Sequence, residues 1–254
     1  MKKIRTMIQS IDRAAEILEI VRSANGPIRA KNIADTMGLS INTTHNLIRS
    51  LYQHGFLVQD TNRCYLLGGV FLKFGGSVRE RFEHFGLAAR EPIRQLCKET
   101  GNTAFVGTEY YGTLYCVARA YPDGYWEING QQKWLNNIHA AATGKIIIAE
   151  HGEKWFADLL KRVTLEKFTE HTLTTPEEMN PQIAEIRKKG YALCVNESGI
   201  GTASLAIAIR ERDGRLLGAV SESFPDYFLE SDRFDLEMEL KKLRNAASGI
   251  LSHF

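Results

Sequence analysis

From Asp12 to about Ala24, apolar side chains recur at spacings of three and four: Ala14, Ile17, Leu18 and Val21. That period puts them on one face of an amphipathic helix, with Asp12 as its cap and Asn25-Gly26-Pro27 as its stop. A second, short helix is predicted from Ala30 to Met37, with Ile33, Ala34 and Met37 turned inward and Gly38 ending it. Ser40 caps a third, from Ile41 to His54, whose inward stripe is Thr44, Leu47, Ile48 and Leu51. Only a few residues around Gly38-Leu39-Ser40 separate the second helix from the third, the spacing of a helix-turn-helix. Past Gly55, Phe56-Leu57-Val58 reads as a strand, Asp60-Thr61-Asn62-Arg63 as a turn and Cys64-Tyr65-Leu66-Leu67 as the return strand. Three helices and a hairpin predict a winged helix-turn-helix domain over residues 1–68.

Residues 69–85 predict a linker helix, weak at Gly75-Gly76, and a separate helix follows from about Leu87 to Thr100 with Ala88, Ile93, Leu96 and Cys97 inward. The period then changes to two. Ala104–Val106 and Leu114–Val117 flank Gly112 as a hairpin, and another strand is expected around Tyr125–Ile128. Helices are predicted at about Ala140–His151, Lys154–Leu160 and Pro176–Lys189, the last ended by Gly190. Long strands at about Ala203–Glu211 and Arg215–Glu222 turn through Asp213-Gly214, and a final helix runs from about Ser231 to Leu251. Antiparallel strands with segregated helices make residues 86–254 an α+β domain.

Composition changes little in this picture. A 44% hydrophobic and 24% charged chain of 254 residues suits a globular protein, with no apolar run long enough to span a bilayer. The expected setting is the cytoplasm. Cys64, Cys97, Cys116 and Cys194 form no C-x-x-C pair, so no zinc ribbon is expected, and neither metal nor cofactor is called for. Charge distribution adds more. The first eighty residues hold eleven basic and six acidic residues, a net +5, while the remainder nets −3. A basic front end implies an anionic partner. The third helix presents Asn42, Thr43, His45, Asn46 and Arg49, short donors and acceptors plus one cation suited to base edges and phosphates in a major groove. Arg63 sits at the wing tip, and Arg29, Ser40 and Thr44 complete the DNA-binding candidates.

The chain resembles the IclR (isocitrate lyase regulator) family of bacterial transcription factors. The resemblance is carried by Gln9-Ser10-Ile11-Asp12-Arg13-Ala14, Thr44-His45, Leu47-Ile48, His139-Ala140 with Thr143-Gly144-Lys145, Phe168-Thr169 with Thr172-Leu173, and Ile186-Arg187-Lys188-Lys189-Gly190-Tyr191. Glu197 and Ala219-Val220-Ser221 complete it. The resemblance implies a winged-helix domain, a linker helix and a GAF-like effector-binding domain. It also implies dimers associating into tetramers on a double-stranded operator, with repression the commoner behaviour. Asn46 and Leu66 stand where family members often carry arginine, which alters the expected base and phosphate contacts.

By the same resemblance, the effector pocket lies over Ala142 and Thr143 at a helix N-terminus, whose free N–H groups suit a carboxylate. Cys194, Thr202, Ser204, Ser221 and Ser223 are its other candidates; the four hydroxyls share parity on two strands, unless they simply face solvent. A small hydroxy acid or sugar acid is the expected effector. Trp126 and Trp134, if they line the site rather than a core or interface, would favour an aromatic acid. Catalysis is not expected. Gly144-Lys145 lacks the P-loop's earlier glycine and its Ser or Thr, Gly199-Ile200-Gly201 lacks the third dinucleotide-binding glycine, and no G-x-S-x-G elbow occurs. No spacing supports a His139–Cys194 pair as a catalytic or metal site. A C-terminal domain that only oligomerises is the remaining rival.

Overall fold

The computed structural model describes residues 8–123, 134–135, 137–232 and 234–254. The chain divides into two compact units, at residues 81 and 82.

In the first unit, α1 (Gln9–Ser23), α2 (Ala30–Met37) and α3 (Ile41–Gln53) precede a hairpin of β1 (Leu57–Gln59) and β2 (Tyr65–Leu67). Ile17, Val21, Ala30, Ile33, Ile48, Leu51, Leu57 and Tyr65 form its core, and the stripe residues Ala14, Leu18, Met37 and Leu47 are half-buried and pack against it. Asp12 does not cap α1. The helix starts three residues earlier, with the Ile8 carbonyl accepting from the amides of Ile11 and Asp12. Gly38, at φ +63°, ends α2, and the Ser40 side chain accepts from the Thr43 amide to start α3.

One helix, α4 (Val70–Thr100), runs for 31 residues where two were expected. Its buried positions Phe85, Ala88, Ala89, Ile93, Leu96 and Cys97 keep a continuous three-to-four spacing, so packing carries it past Gly86. Pro92 is accommodated inside it beside Gly249, where a Cβ would come within 3.2 Å of the proline ring.

The second unit is built on a six-stranded antiparallel sheet in the order β5-β4-β3-β8-β7-β6. The strands are β3 (Thr103–Tyr110), β4 (Thr113–Ala120), β5 (Trp134–Leu135), β6 (Tyr191–Val195), β7 (Thr202–Arg210) and β8 (Leu216–Pro225). The sequence reading missed β5 and β6, and its strand around 125–128 lies outside the described residues. Tyr111 (φ +52°) and Gly112 (φ +90°) make the two-residue turn between β3 and β4, a geometry whose twist suits a tight hairpin. The C-terminal part of α4 and α8 (Leu236–Leu251) cover one face of the sheet. The other is covered by α5 (Ala142–His151), α6 (Glu153–Leu159) and α7 (Pro176–Lys189). The final helix is shorter than expected because Asp235 caps it, accepting from the Glu237 and Met238 amides, and a short 3-10 helix (Asp226–Glu230) precedes it. Among the described residues no helix is long and apolar enough to cross a membrane.

Candidate functional sites

On α3, Asn42, His45, Asn46 and Arg49 are exposed. Their spacing of three, one and three puts them on a single stripe, opposite the buried Thr44, Ile48 and Leu51. Thr43 is half-buried, and its hydroxyl shares a 2.8 Å hydrogen bond with Ser40. Thr44 is corrected as a DNA-contact candidate. It is fully buried, and its hydroxyl donates to the Ser40 carbonyl, so it braces the helix start. Arg29 is exposed at the N-cap of α2. Arg63 is exposed on the wing turn at φ +59°, which disfavours any side chain, while the Asp60 carboxylate accepts from the Asn62 and Cys64 amides.

The second site is a cavity of about 220 Å³ between the start of α5 and the sheet. Strand register builds its floor. One row runs Arg119, Phe105, Ser221, Ala206 across β4, β3, β8 and β7; the next runs Thr103, Ser223, Ser204, Cys194. Ala142, Thr143, Ser204, Ser221 and Ser223, all expected, line the cavity, and the Thr143 hydroxyl donates to Ser221 at 2.8 Å. Gly144 is forced here, since a Cβ would lie 2.0 Å from the Ile138 carbonyl oxygen. The Ala141 cap supplies no side-chain acceptor, which leaves the first amides of α5 facing the cavity end of the helix.

Two expected residues are not brought in. Thr202 is exposed and donates to the Gly199 carbonyl at 2.6 Å. Cys194 ends the second floor row on β6, on the α5 side of the sheet, but is buried near Lys145 and Glu197 outside the lining, and burial pushes its thiol up to about 12, where it remains a neutral thiol. Beside it, the fully buried Lys145 pairs with the carboxylate of Glu197 and also donates to Gln182. The side chain of Trp134 and all of Trp126 lie outside the described residues. His139, also buried, bonds the Glu166 carbonyl at 2.8 Å and stacks on Phe168; burial lowers its pKa, and it serves as a neutral structural side chain. Among the described residues no group of three His, Cys, Asp or Glu side chains could hold a metal ion.

Residues 10–61 match the IclR helix-turn-helix domain, and residues 86–252 match the bacterial transcriptional regulator IclR C-terminal domain. The chain belongs to the IclR family. The HTH-type transcriptional regulator XynR of Escherichia coli is 29% identical over 232 residues, covering 85% of this chain and 86% of that protein. The glycerol operon regulatory protein of Streptomyces coelicolor is 30% identical, covering 84% of this chain and 83% of its own length. Among solved structures, an IclR homolog complexed with 4-hydroxybenzoate from Microbacterium hydrocarbonoxydans superposes with a TM-score of 0.70 at 18% identity, over 96% of this chain and 98% of that one. The Thermotoga maritima IclR gives 0.67 at 22%, over 97% and 98%.

This IclR-family regulator carries lining residues that sequence reasoning missed: Arg119, Tyr121, Asn137, Ser198, Thr103 and Phe105 among them. Arg119 is the telling case. Leu114 and Cys116 face the α5 side, and strict alternation would turn Arg119 away. The register instead pairs Val106 with Ala118 but Gly107 with Cys116, so Val117 is an extra residue. That β-bulge inverts the parity and swings Arg119 into the cavity. Its guanidinium lies over the Phe105 ring, 5.3 Å from the centroid, and donates to the Tyr121 hydroxyl at 2.9 Å. Asn137 adds an amide oxygen that is buried and has no hydrogen-bond partner.

Proposed function

We propose that this regulator is a repressor that binds a near-palindromic operator as a dimer or tetramer and is controlled by a small carboxylate, a hydroxy acid or sugar acid. In this reading residues 1–68 bind DNA, 69–85 link, and 86–254 bind the effector and oligomerise. The α3 stripe of Asn42, His45, Asn46 and Arg49 enters the major groove, and Arg63 and Arg29 contact phosphate.

The cavity at the start of α5 carries the effector reading. Uncapped helix amides suit a carboxylate. Ser204, Ser221, Ser223 and the Asn137 oxygen suit hydroxyls. A volume of about 220 Å³ falls below the roughly 300 Å³ at which drug-sized ligands begin, so the ligand is small. An aromatic acid is the second reading, favoured by Phe105 and Tyr121 in the lining and by the 4-hydroxybenzoate complex of a relative. Effector binding alters operator affinity only by preferring one arrangement of the chain. The test is a mobility-shift assay on DNA upstream of the gene and its neighbours, at fixed salt, with and without a panel of hydroxy, sugar and aromatic acids. Specific binding changed by one acid is the expected result; specific binding that no acid alters would refute the effector reading.

A further inference from the structure

We infer that Asn42 and Asn46 each read an adenine and that Ile41 reads a thymine methyl, so that the operator half-site is built on A·T pairs. This rests on the α3 stripe entering the major groove, as proposed above.

The chemistry of the stripe is the first argument. α3 contains no Asp or Glu, so it has no carboxylate to accept from a cytosine amino group. Its one guanidinium, Arg49, lies beyond the N-terminal turns that meet base edges in a helix-turn-helix. Those turns carry two carboxamides instead. A carboxamide holds a donor and an acceptor side by side, which adenine complements through N7 and N6. Guanine presents two acceptors in the same place, and a carboxamide cannot match both. Availability is the second argument. Asn42 and Asn46 are exposed, and neither side chain bonds to a described residue, so no internal hydrogen bond breaks when a base is engaged. The turn beneath them is held: the Ser40 side chain accepts from the Thr43 amide, and the Thr44 hydroxyl donates to the Ser40 carbonyl. Placement is the third. Asn42 and Asn46 stand about 40° apart around the helix, across from the buried Thr44, Ile48 and Leu51. Four residues advance the helix by about 6 Å, against about 3.4 Å per base along one strand, so the two amides reach base pairs one or two steps apart. Ile41 completes the pattern. It opens α3 beside Asn42 and is 42% exposed, an apolar side chain on an otherwise polar face. The thymine methyl is the apolar group that a major-groove edge offers it.

The experiment is selection of random duplex DNA by the full chain at fixed salt, followed by anisotropy titration of the enriched sequence and its single-base variants. The expected result is a motif whose half-sites hold two adenines within about two base pairs of each other. Asn42→Ala should erase the preference for one adenine and Asn46→Ala for the other, each weakening the selected site about tenfold or more, with thermal melts showing both variants folded. Asn46→Arg should move the preference at its position to guanine. Replacing that adenine with 7-deazaadenine, which lacks the N7 acceptor, should weaken binding by the wild type and leave Asn46→Ala unaffected. Uracil in place of one thymine removes the methyl; it should weaken the wild type and leave Ile41→Ala unaffected. Adenine preferences that survive both alanine variants, or a lost preference that falls on guanine or cytosine, overturn the inference while the selected motif keeps the operator reading. A uracil effect that survives Ile41→Ala, or none at any thymine, overturns the methyl contact. Enrichment of no sequence overturns the operator reading and the inference with it.

Discussion

Glu222 stands between two cavity serines on β8 but points to the opposite face of the sheet, toward α4 and α8. It is fully buried, and desolvation pushes its carboxyl up to about 7; Asn102 donates to it, Glu239 opposes its ionisation and Lys242 favours it. Its other oxygen has no partner that donates, which fits a protonated carboxyl. An acid whose folded value lies above its unfolded value of about 4.5 contributes stability that is complete below 4.5 and is lost as pH rises through about 7. That gap corresponds to about 3 kcal/mol. His139, whose pKa is lowered by burial, acts in the opposite sense, losing stability as pH falls. The diagnostic is therefore the difference between wild type and Glu222→Gln in denaturant unfolding. Relative to the variant, the wild type should lose up to about 3 kcal/mol between pH 4.5 and about 7; a constant difference would refute a neutral Glu222. Lys145 offers a second residue-scale prediction. Its side chain is 0% and that of Glu197 6% exposed, so Lys145→Met should strand a buried carboxylate and cost about 3–5 kcal/mol. Adding Glu197→Leu should recover much of that, measured by chemical denaturation.

At the scale of elements, α3 and the wing separate stability from DNA contact. Ser40 caps α3 through the Thr43 amide, so Ser40→Ala should lower stability by about 1 kcal/mol. Arg63 occupies a left-handed backbone position that glycine adopts without strain. Arg63→Gly should therefore hold or raise the melting temperature while weakening operator binding and reducing the salt slope by about 0.9, as expected for one lost phosphate contact. Anisotropy titrations across a salt series check this; an unchanged slope would remove Arg63 from the interface. The α3 stripe was legible in the sequence because a helix's faces follow from local spacing. The contribution of β4 was not, because a single extra residue at Val117 reverses every later side chain on that strand.

For the whole molecule, α4 matters most, since the division between the two units falls within it. Gly75 and Gly76 lie in α4 with open space where a Cβ would stand. Replacing both with alanine should fit without clash and stiffen the helix by roughly 1 kcal/mol per position. If the effector acts by bending this segment, Gly75→Ala with Gly76→Ala should leave effector affinity intact and shrink the effector-induced change in operator affinity. An undiminished response in the mobility-shift assay would place the transmission elsewhere.

The sequence by itself determined the helix-turn-helix, the wing, the order of later helices and the β7–β8 turn at Asp213-Gly214. Each of these rests on interactions within a few residues: period, caps, stops and turn chemistry. The family resemblance also carried Ala142, Thr143, Ser204, Ser221 and Ser223 to the cavity they line, and strand parity, local to each strand, put the serines on one face. Tertiary structure decided the rest. The merging of α4 into one helix came from burial of its stripe against the sheet, which no local glycine signal could outweigh. Arg119 and Asn137 entered the cavity through cross-strand register and the α5 approach, contacts between residues far apart in the chain. Cys194 and Thr202 left it for the same reason: the fold buried one at the sheet edge near Lys145 and Glu197 and turned the other toward its own loop.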